Sequence, residues 1–83
     1  MVRNKEQSSS MIYLTRINSD QNMQRFYSLD IQPNLFGEWC LIRKWGRIRS
    51  NGRRMETSFS TLADAEKLQM KLAKAKRSKG YNG

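Results

Sequence analysis

The spacing of apolar residues changes once along this chain, near residue 60. Before that point, alternating or β-branched residues predict four strands, over residues 11–17, 25–32, 38–48 and 53–60. After it, apolar residues recur every three or four positions, which predicts a helix with one apolar stripe. The stripe consists of Leu62, Ala65, Leu68, Leu72 and Ala75. The pattern therefore predicts an α+β fold, in which a C-terminal helix packs on one face of a four-stranded antiparallel β-sheet.

The ends of these elements carry their own signals. Thr61 followed by Asp64 resembles a capping box at the start of the helix, and Gly80 marks its end. Asn51-Gly52 predicts a two-residue hairpin turn between the third and fourth strands, with positive φ at both positions.

The third predicted strand is apolar on both sides. Trp39 and Leu41 alternate there with Cys40 and Ile42. Such a strand typically lies in the interior of a sheet, with a cover on each face. We therefore expect Trp39 in the core and Cys40 as a small buried hydrophobe.

Length and composition exclude several classes of protein. A chain of 83 residues is one domain with a modest core. We assign that domain to residues 11–83, and predict that the polar residues 1–10 are a disordered leader. The chain has one cysteine and no histidine, so it lacks the partners for a disulfide or a zinc site and the commonest general base. We predict no enzymatic activity, and no metal, cofactor or small-molecule substrate.

No apolar run approaches the ~20 residues of a membrane-spanning helix. We therefore expect no membrane partner and a location in the cytoplasm or on the nucleoid.

Positive charge is concentrated in the second half of the chain. Residues 1–42 hold four basic and four acidic residues, whereas residues 43–83 hold twelve basic and three acidic ones. The formal net charge of +9 therefore comes from the second half. This asymmetry favours a surface that faces a polyanion. The alternative is a basic surface kept for solubility, which would not alone explain the asymmetry.

The densest basic segment is residues 43–54, with six positive charges and no negative one. Cations at this density repel each other unless a polyanion neutralises them. Trp45 lies among them, where a flat ring can stack on a base or pack on a sugar while the cations hold phosphates. The alternative is a core position for Trp45. Arg43, two residues earlier on the same side, favours a face that turns towards solvent.

The segment Lys44-Trp45-Gly46-Arg47-Ile48 resembles the signature of the WGR domain family. The resemblance extends over residues 11–81, since further family features occur in the expected order. These are Arg25-Phe26-Tyr27, Glu38-Trp39, a glycine-containing turn, Phe59-Ser60-Thr61 and a Lys-rich helix that closes with Lys76-Arg77-Ser78-Lys79-Gly80-Tyr81. Two positions depart from the family pattern: Arg49, where glycine is usual, and Gln24, where polymerase members often carry asparagine.

The resemblance implies roles for particular residues. The family occurs in DNA-damage-dependent poly(ADP-ribose) polymerases and as small bacterial domains. In the polymerases the signature Trp packs on the sugar of a DNA end and the signature Arg contacts DNA or neighbouring domains. These roles fall on Trp45 and Arg47. The predicted nucleic-acid-binding residues are Arg25, Arg43, Lys44, Trp45, Gly46, Arg47, Arg49, Arg53, Lys76, Lys79 and Tyr81.

Two functions follow as hypotheses. The first is a small non-enzymatic WGR domain that binds DNA ends or non-specific duplex DNA, in preference to RNA. The second is a protein-interaction module that docks an acidic partner through the same residues, since Trp and Arg commonly anchor such interfaces. Lys67, Lys71 and Lys74 form a separate helix face, either a solvated surface or a non-specific contact to phosphates.

Overall fold

The computed structural model describes residues 10–83, which form a sheet and a helix. The elements are β1 (Ser10–Asn18), β2 (Met23–Pro33), β3 (Trp39–Arg47), β4 (Arg53–Phe59) and α1 (Leu62–Ser78). This is the predicted α+β fold. Residues 1–9 of the predicted leader lie outside the described residues, and Ser10 begins β1.

The four strands form one antiparallel sheet in the order β1-β2-β3-β4. A single 3-10 turn, Ser19–Gln21, joins β1 to β2, and Asn22 closes it with a φ of 51°. The pairing is continuous along each ladder, from Ser10 opposite Ile31 to Asn18 opposite Met23 in the first hairpin. Since successive side chains point to opposite faces, this register assigns every strand residue to one of two faces.

The helix covers one of these faces, which we call the helix-side face. Four side chains of the strands are completely buried beneath it: Leu14, Leu29, Ile31 and Leu41. Each contributes about 1.5–3 kcal/mol on transfer from water. The other face, which we call the open face, has no helix packed on it within residues 10–83. β3 is thus an interior strand, as predicted, and Cys40 is buried on its open-face side as expected, although neighbouring side chains rather than a second layer cover it.

The start of α1 agrees with the predicted cap, since the Thr61 hydroxyl accepts a hydrogen bond from the Asp64 amide at 3.1 Å. The predicted stripe is confirmed at four of its five positions, since Ala65 is buried and Leu62, Leu68 and Leu72 pack against the core. The buried residues of the helix are Ala65, Gln69 and Ala73, whereas Ala75 is exposed. The small side chains of Ala65 and Ala73, both completely buried, let the helix approach the sheet closely.

Gln69 is a core residue that the apolar pattern does not predict. Its amide nitrogen donates hydrogen bonds to the carbonyl oxygens of Ser10 (3.0 Å) and Leu29 (3.1 Å). These bonds offset the cost of burying a polar group and tie the middle of α1 to β1 and β2.

The predicted two-residue turn at Asn51-Gly52 is wrong. The connection between β3 and β4 comprises residues 48–52, and its positive φ angles fall on Arg49 (78°) and Gly52 (71°). The Ile48 amide donates to the Gln24 carbonyl at 2.9 Å, which holds the chain to β2 beyond the end of β3. The chain therefore reverses direction over a longer loop.

Candidate nucleic-acid interface

Three arginines form a row across the helix-side face near the start of β2. Arg16 lies opposite Arg25, and Arg25 lies opposite Arg47, so the row spans three neighbouring strands. Arg25 and Arg47 are exposed and Arg16 is half-buried. Because neighbouring strands are only ~4.8 Å apart, the backbone holds the Cα atoms of these three arginines close together.

Trp45 lies in the next row of the same face. This row runs across the four strands, from Leu14 on β1 through Tyr27 and Trp45 to Arg53 on β4. Trp45 is half-buried, and its ring centroid lies 6.1 Å from that of Tyr27 with the planes tilted by 34°. The residue is thus neither fully surface nor fully core: one side packs on the hydrophobic core and the rest remains accessible.

The C-terminal end of α1 adds a cation to this row. The ammonium group of Lys76 lies 4.6 Å from the centre of the Tyr27 ring and 5.4 Å from that of Tyr81. The two tyrosine rings meet edge to face at 6.3 Å. Such cation–π contacts hold a positive charge over an apolar surface without an acidic partner.

The residues after the helix are attached to β1. Thr15 and Asn82 exchange two backbone hydrogen bonds of 2.8 Å, which forms an isolated bridge at the edge of the sheet. This bridge holds Tyr81 against Tyr27. It also brings Gly80 beside the Arg16 side chain, since an ideal Cβ on Gly80 would lie 3.1 Å from the Arg16 Nε. The end of the chain therefore frames the arginine row.

The two faces of the sheet differ in charge. The charged strand residues of the helix-side face are all arginines: Arg16, Arg25, Arg43, Arg47 and Arg53. The open face carries Lys44 and Arg54 together with Asp30 and Glu56, and Arg54 forms an ion pair with Glu56 at 3.2 Å. The helix-side face is thus strongly positive, and the charges of the open face balance.

Two glycines bring the ends of β3 and β4 together beside Trp45. An ideal Cβ on Gly46 would lie 2.9 Å from the Cα of Gly52, so a side chain there would separate the two strands. An ideal Cβ on Gly52 would lie 2.5 Å from the Trp45 carbonyl oxygen and 2.9 Å from the Phe26 ring. A side chain at either glycine would therefore displace the backbone next to Trp45.

Comparison with known proteins identifies the family. A sequence model of the WGR domain matches residues 10–83. The chain belongs to the WGR domain family. This membership supports a nucleic-acid-binding module in general terms.

A relative of this WGR domain is the uncharacterized protein y4dW of Sinorhizobium fredii (strain NBRC 101917 / NGR234). The two are 44% identical over 70 residues, which cover 84% of this chain and 34% of the relative. The chain thus spans about a third of the length of that protein. No solved structure gives a significant match.

The WGR fold brings together six of the predicted residues. Arg25, Arg47, Trp45 and Arg53 lie in two adjacent rows of the helix-side face, and Lys76 and Tyr81 border them. Together with Arg16 they form one continuous positive region, which we call the basic surface. The basic surface consists of Arg16, Arg25, Trp45, Arg47, Arg53, Lys76 and Tyr81.

The other predicted residues of the WGR domain are placed differently. Lys44 points to the open face, away from Trp45. Arg43 lies on the helix-side face, but its Nε is buried and has no hydrogen-bond partner within residues 10–83, and the guanidinium group contacts the Met55 sulfur. Arg49 lies in the β3–β4 loop and is exposed, and Lys79 is the exposed C-cap of α1.

Arg16 is absent from the site predicted from the sequence. Its sequence neighbours form no basic cluster, because its partners Arg25 and Arg47 lie on other strands. The sequence feature that could have revealed Arg16 is the polar turn after residue 17, because a hairpin closed there places Arg16 opposite Arg25.

Metal binding and membrane insertion are two other properties that side-chain placement can reveal. Within residues 10–83 no group of three or more His, Cys, Asp or Glu side chains is arranged to hold a metal ion. No described helix has the length and apolarity needed to cross a membrane.

Proposed function

We propose that this WGR domain binds duplex DNA, at ends or without sequence preference, through the basic surface. The observation that carries this proposal is the segregation of charge: five arginines and no acid lie on the helix-side face of the strands. Guanidinium groups held on neighbouring strands repel each other, and a phosphate backbone relieves this repulsion on binding.

Trp45 supplies the second component of the proposed contact. Its ring lies beside the arginine row and is half-exposed, so a sugar or a terminal base pair can pack on it while Arg25 and Arg47 contact phosphates. Tyr27 supports the ring from below. A rigid aromatic group flanked by cations favours recognition of shape and backbone.

The helix argues against sequence-specific recognition. Base readout in the major groove usually requires a helix that presents Arg, Asn or Gln side chains to base edges. In α1 the side-chain amide belongs to Gln69, which is buried and hydrogen-bonded to backbone carbonyls. Binding through the basic surface is therefore expected to depend on phosphate geometry more than on base sequence.

The test is a titration of fluorescently labelled duplex across a range of salt concentrations. With about five phosphates neutralised, the slope of log K against log salt is expected to be roughly −4 to −5. A blunt duplex and a duplex closed by hairpin loops at both ends separate preference for ends from general duplex binding. Affinity that does not change with salt would contradict the proposal.

Backbone amide NMR shifts during the same titration locate the contact. We expect the largest shifts at Arg16, Arg25 and residues 45–53, with small shifts at Tyr13 and Arg54 on the open face. If duplex DNA gives no shifts at low salt, the basic surface instead serves an acidic protein partner, for which Trp and Arg are common anchors.

A further inference from the structure

Two large apolar side chains protrude at the end of the sheet opposite the arginine row. Residues 34–38 connect β2 to β3, and Leu35 is 99% exposed and Phe36 86% exposed. We call these two residues the apolar tip. Arg25 and Pro33 are eight residues apart on β2, or roughly 26 Å at 3.3 Å per residue. The apolar tip is therefore well separated from the basic surface.

The tip is held in a defined conformation by Asn34. The side-chain oxygen of Asn34 accepts hydrogen bonds from the backbone amides of Phe36 (2.8 Å) and Glu38 (2.9 Å), and the backbone amide of Asn34 donates to the Glu38 backbone carbonyl at 2.9 Å. Gly37 completes the turn with a φ of 78°. The loop thus presents two apolar side chains to solvent in a preorganised form, which is typical of a contact surface.

A shallow, open groove with an apolar floor lies on the same molecule. It has a volume of about 380 Å³ and runs between the end of β4 and α1, with Phe59 and Leu68 as its apolar lining and Asp64, Lys67 and Lys71 at its borders. Phe59 pairs with Trp39, the first residue of β3 after the connection that carries the tip. Tip and groove therefore lie towards the same end of the sheet.

The charges around the two features are complementary. Residues 31–38 contain one acidic residue, Glu38, which lies two positions after Phe36 of the tip, and no basic one. The groove is bordered by two lysines and one aspartate. The carboxylate of Glu38 beside the apolar tip disfavours both DNA and anionic lipid as its partner, and favours a protein groove bordered by lysines.

We propose that the occupant of the groove is a second copy of this chain. Phe36 of one copy lies in the Phe59–Leu68 groove of the other, and the contact is reciprocal about a two-fold axis, with Glu38 facing Lys67 and Lys71. In a two-fold dimer both copies use the same surface patch. The tip and the groove lie towards the same end of the sheet, so one such patch can contain both. The two basic surfaces then lie at the far ends of the dimer and, given the proposed DNA-binding function, can bridge two duplexes.

The dimer is expected to be weak in isolation. A tip of two residues buries much less than the ~800 Å² per partner of a standard interface. The net charge of +9 on each copy adds repulsion. Added salt screens both this repulsion and the attraction of Glu38 for Lys67 and Lys71, and leaves the apolar contact of Phe36 in place. Self-association is therefore expected to persist as salt rises, whereas DNA binding weakens.

Sedimentation equilibrium of the full chain at about 0.5 M salt tests self-association directly. We expect a reversible monomer–dimer equilibrium, and a dissociation constant at least tenfold higher for Phe36→Ser. Met11→Ser is the matched control, because Met11 is a large apolar residue, 59% exposed on the open face, and should leave the equilibrium unchanged. A monomer at every concentration up to about 1 mM, or an equal effect of both substitutions, would overturn the proposal.

A charge-swap cycle tests the pairing of tip and groove. Glu38→Lys alone and Lys67→Glu/Lys71→Glu alone should each weaken the dimer, and the combined variant should recover most of the loss because the attraction is restored in reverse. All three positions are exposed, so the fold should tolerate the changes, which circular dichroism checks. Additive losses in the combined variant would show that these residues do not face each other.

The two proposals fail separately. Phe36→Ser should bind one short duplex like the unmodified chain, but should lose energy transfer between two differently labelled duplexes. A dimer without DNA affinity would remove the DNA-binding function and leave self-association in place. DNA affinity without a Phe36-dependent dimer would remove only self-association.

Discussion

The two faces of the sheet are built from the same strands and yet differ in what they can bind. On the helix-side face, arginines from three strands meet in a row beside Trp45, and no strand residue is acidic. On the open face, Lys44 and Arg54 alternate with the acidic groups of Asp30 and Glu56. Neighbours in sequence, such as Lys44 and Trp45, therefore belong to surfaces of different charge.

The difference shows that charge density along the chain and charge density in space are separate quantities. Strand alternation divides the basic run of residues 43–54 between two faces, and strand pairing then adds Arg16 and Arg25 to one of them. The contrast can be tested directly, because substitutions that are equal in charge can be made on either face.

The largest effect is expected from Arg25→Gln/Arg47→Gln, which removes two exposed cations from the basic surface. Each lost phosphate contact flattens the salt slope by about 0.9, so the slope should fall by nearly 2 and the affinity at about 0.1 M salt roughly 100-fold. The measurement is a duplex titration at several salt concentrations.

The matched control is Lys44→Gln/Arg54→Gln, which removes the same charge from the open face. Because exposed charges more than ~10 Å apart are largely screened at this salt concentration, the loss should be at most about threefold. Equal losses for the two double variants would mean that net charge, rather than the helix-side face, determines binding.

The second effect concerns the glycines of the two connections that flank β3. Gly37 and Gly52 have similar φ angles, 78° and 71°, but a Cβ at Gly37 meets no atom within 4 Å whereas one at Gly52 meets the Trp45 carbonyl and the Phe26 ring. Gly37→Ala should therefore cost about 1 kcal/mol from its backbone conformation alone. Gly52→Ala should cost about 2 kcal/mol or more.

Urea denaturation measures both free energies of unfolding. Equal losses would show that the loop relaxes around the new methyl group and that the contact between Gly52 and the Trp45 carbonyl does not determine the position of the ring.

Much of the fold follows from local pattern. The alternation of apolar residues predicts each strand to within two residues of its observed ends, because this period is a property of the strand itself. The cap at Thr61 is equally local. The turn at residues 48–52 is not predictable in this way, since the contact of Ile48 with Gln24 and the packing of Gly52 on Trp45 join different parts of the sheet.

The burial of Gln69 in the helix escapes sequence reasoning for a related reason. An apolar stripe does not include Gln69, whose burial is possible only because the carbonyls of Ser10 and Leu29 accept its amide hydrogens. Likewise, charge density points to residues 43–54 but cannot assign Lys44 to the open face or add Arg16 without the register of three strands.

The third effect comes from substitutions of Trp45, which distinguish a role in DNA contact from a role in the core. The half-buried ring is compatible with both. Trp45→Ala should lower duplex affinity about tenfold, within the range of 1–3 kcal/mol for loss of an aromatic stacking partner. Trp45→Phe keeps a flat ring on Tyr27 and should lose less. If folded Trp45→Ala binds like the unmodified chain, Trp45 serves the core of the helix-side face and the arginines alone hold the DNA.

The smallest effect should come from Tyr81, which tests whether the end of the chain extends the basic surface. Tyr81→Ala removes an edge contact with Tyr27 and one of the two rings beneath the Lys76 ammonium group. Exposed cation–π contacts contribute about 0.5–1 kcal/mol, so affinity should fall roughly threefold as Lys76 becomes less well positioned. Tyr81→Phe retains the ring and should restore the affinity. If Lys76→Gln alone leaves the duplex affinity unchanged, the DNA-binding surface does not extend beyond the arginine row. The two tyrosines then only fasten the helix to the sheet.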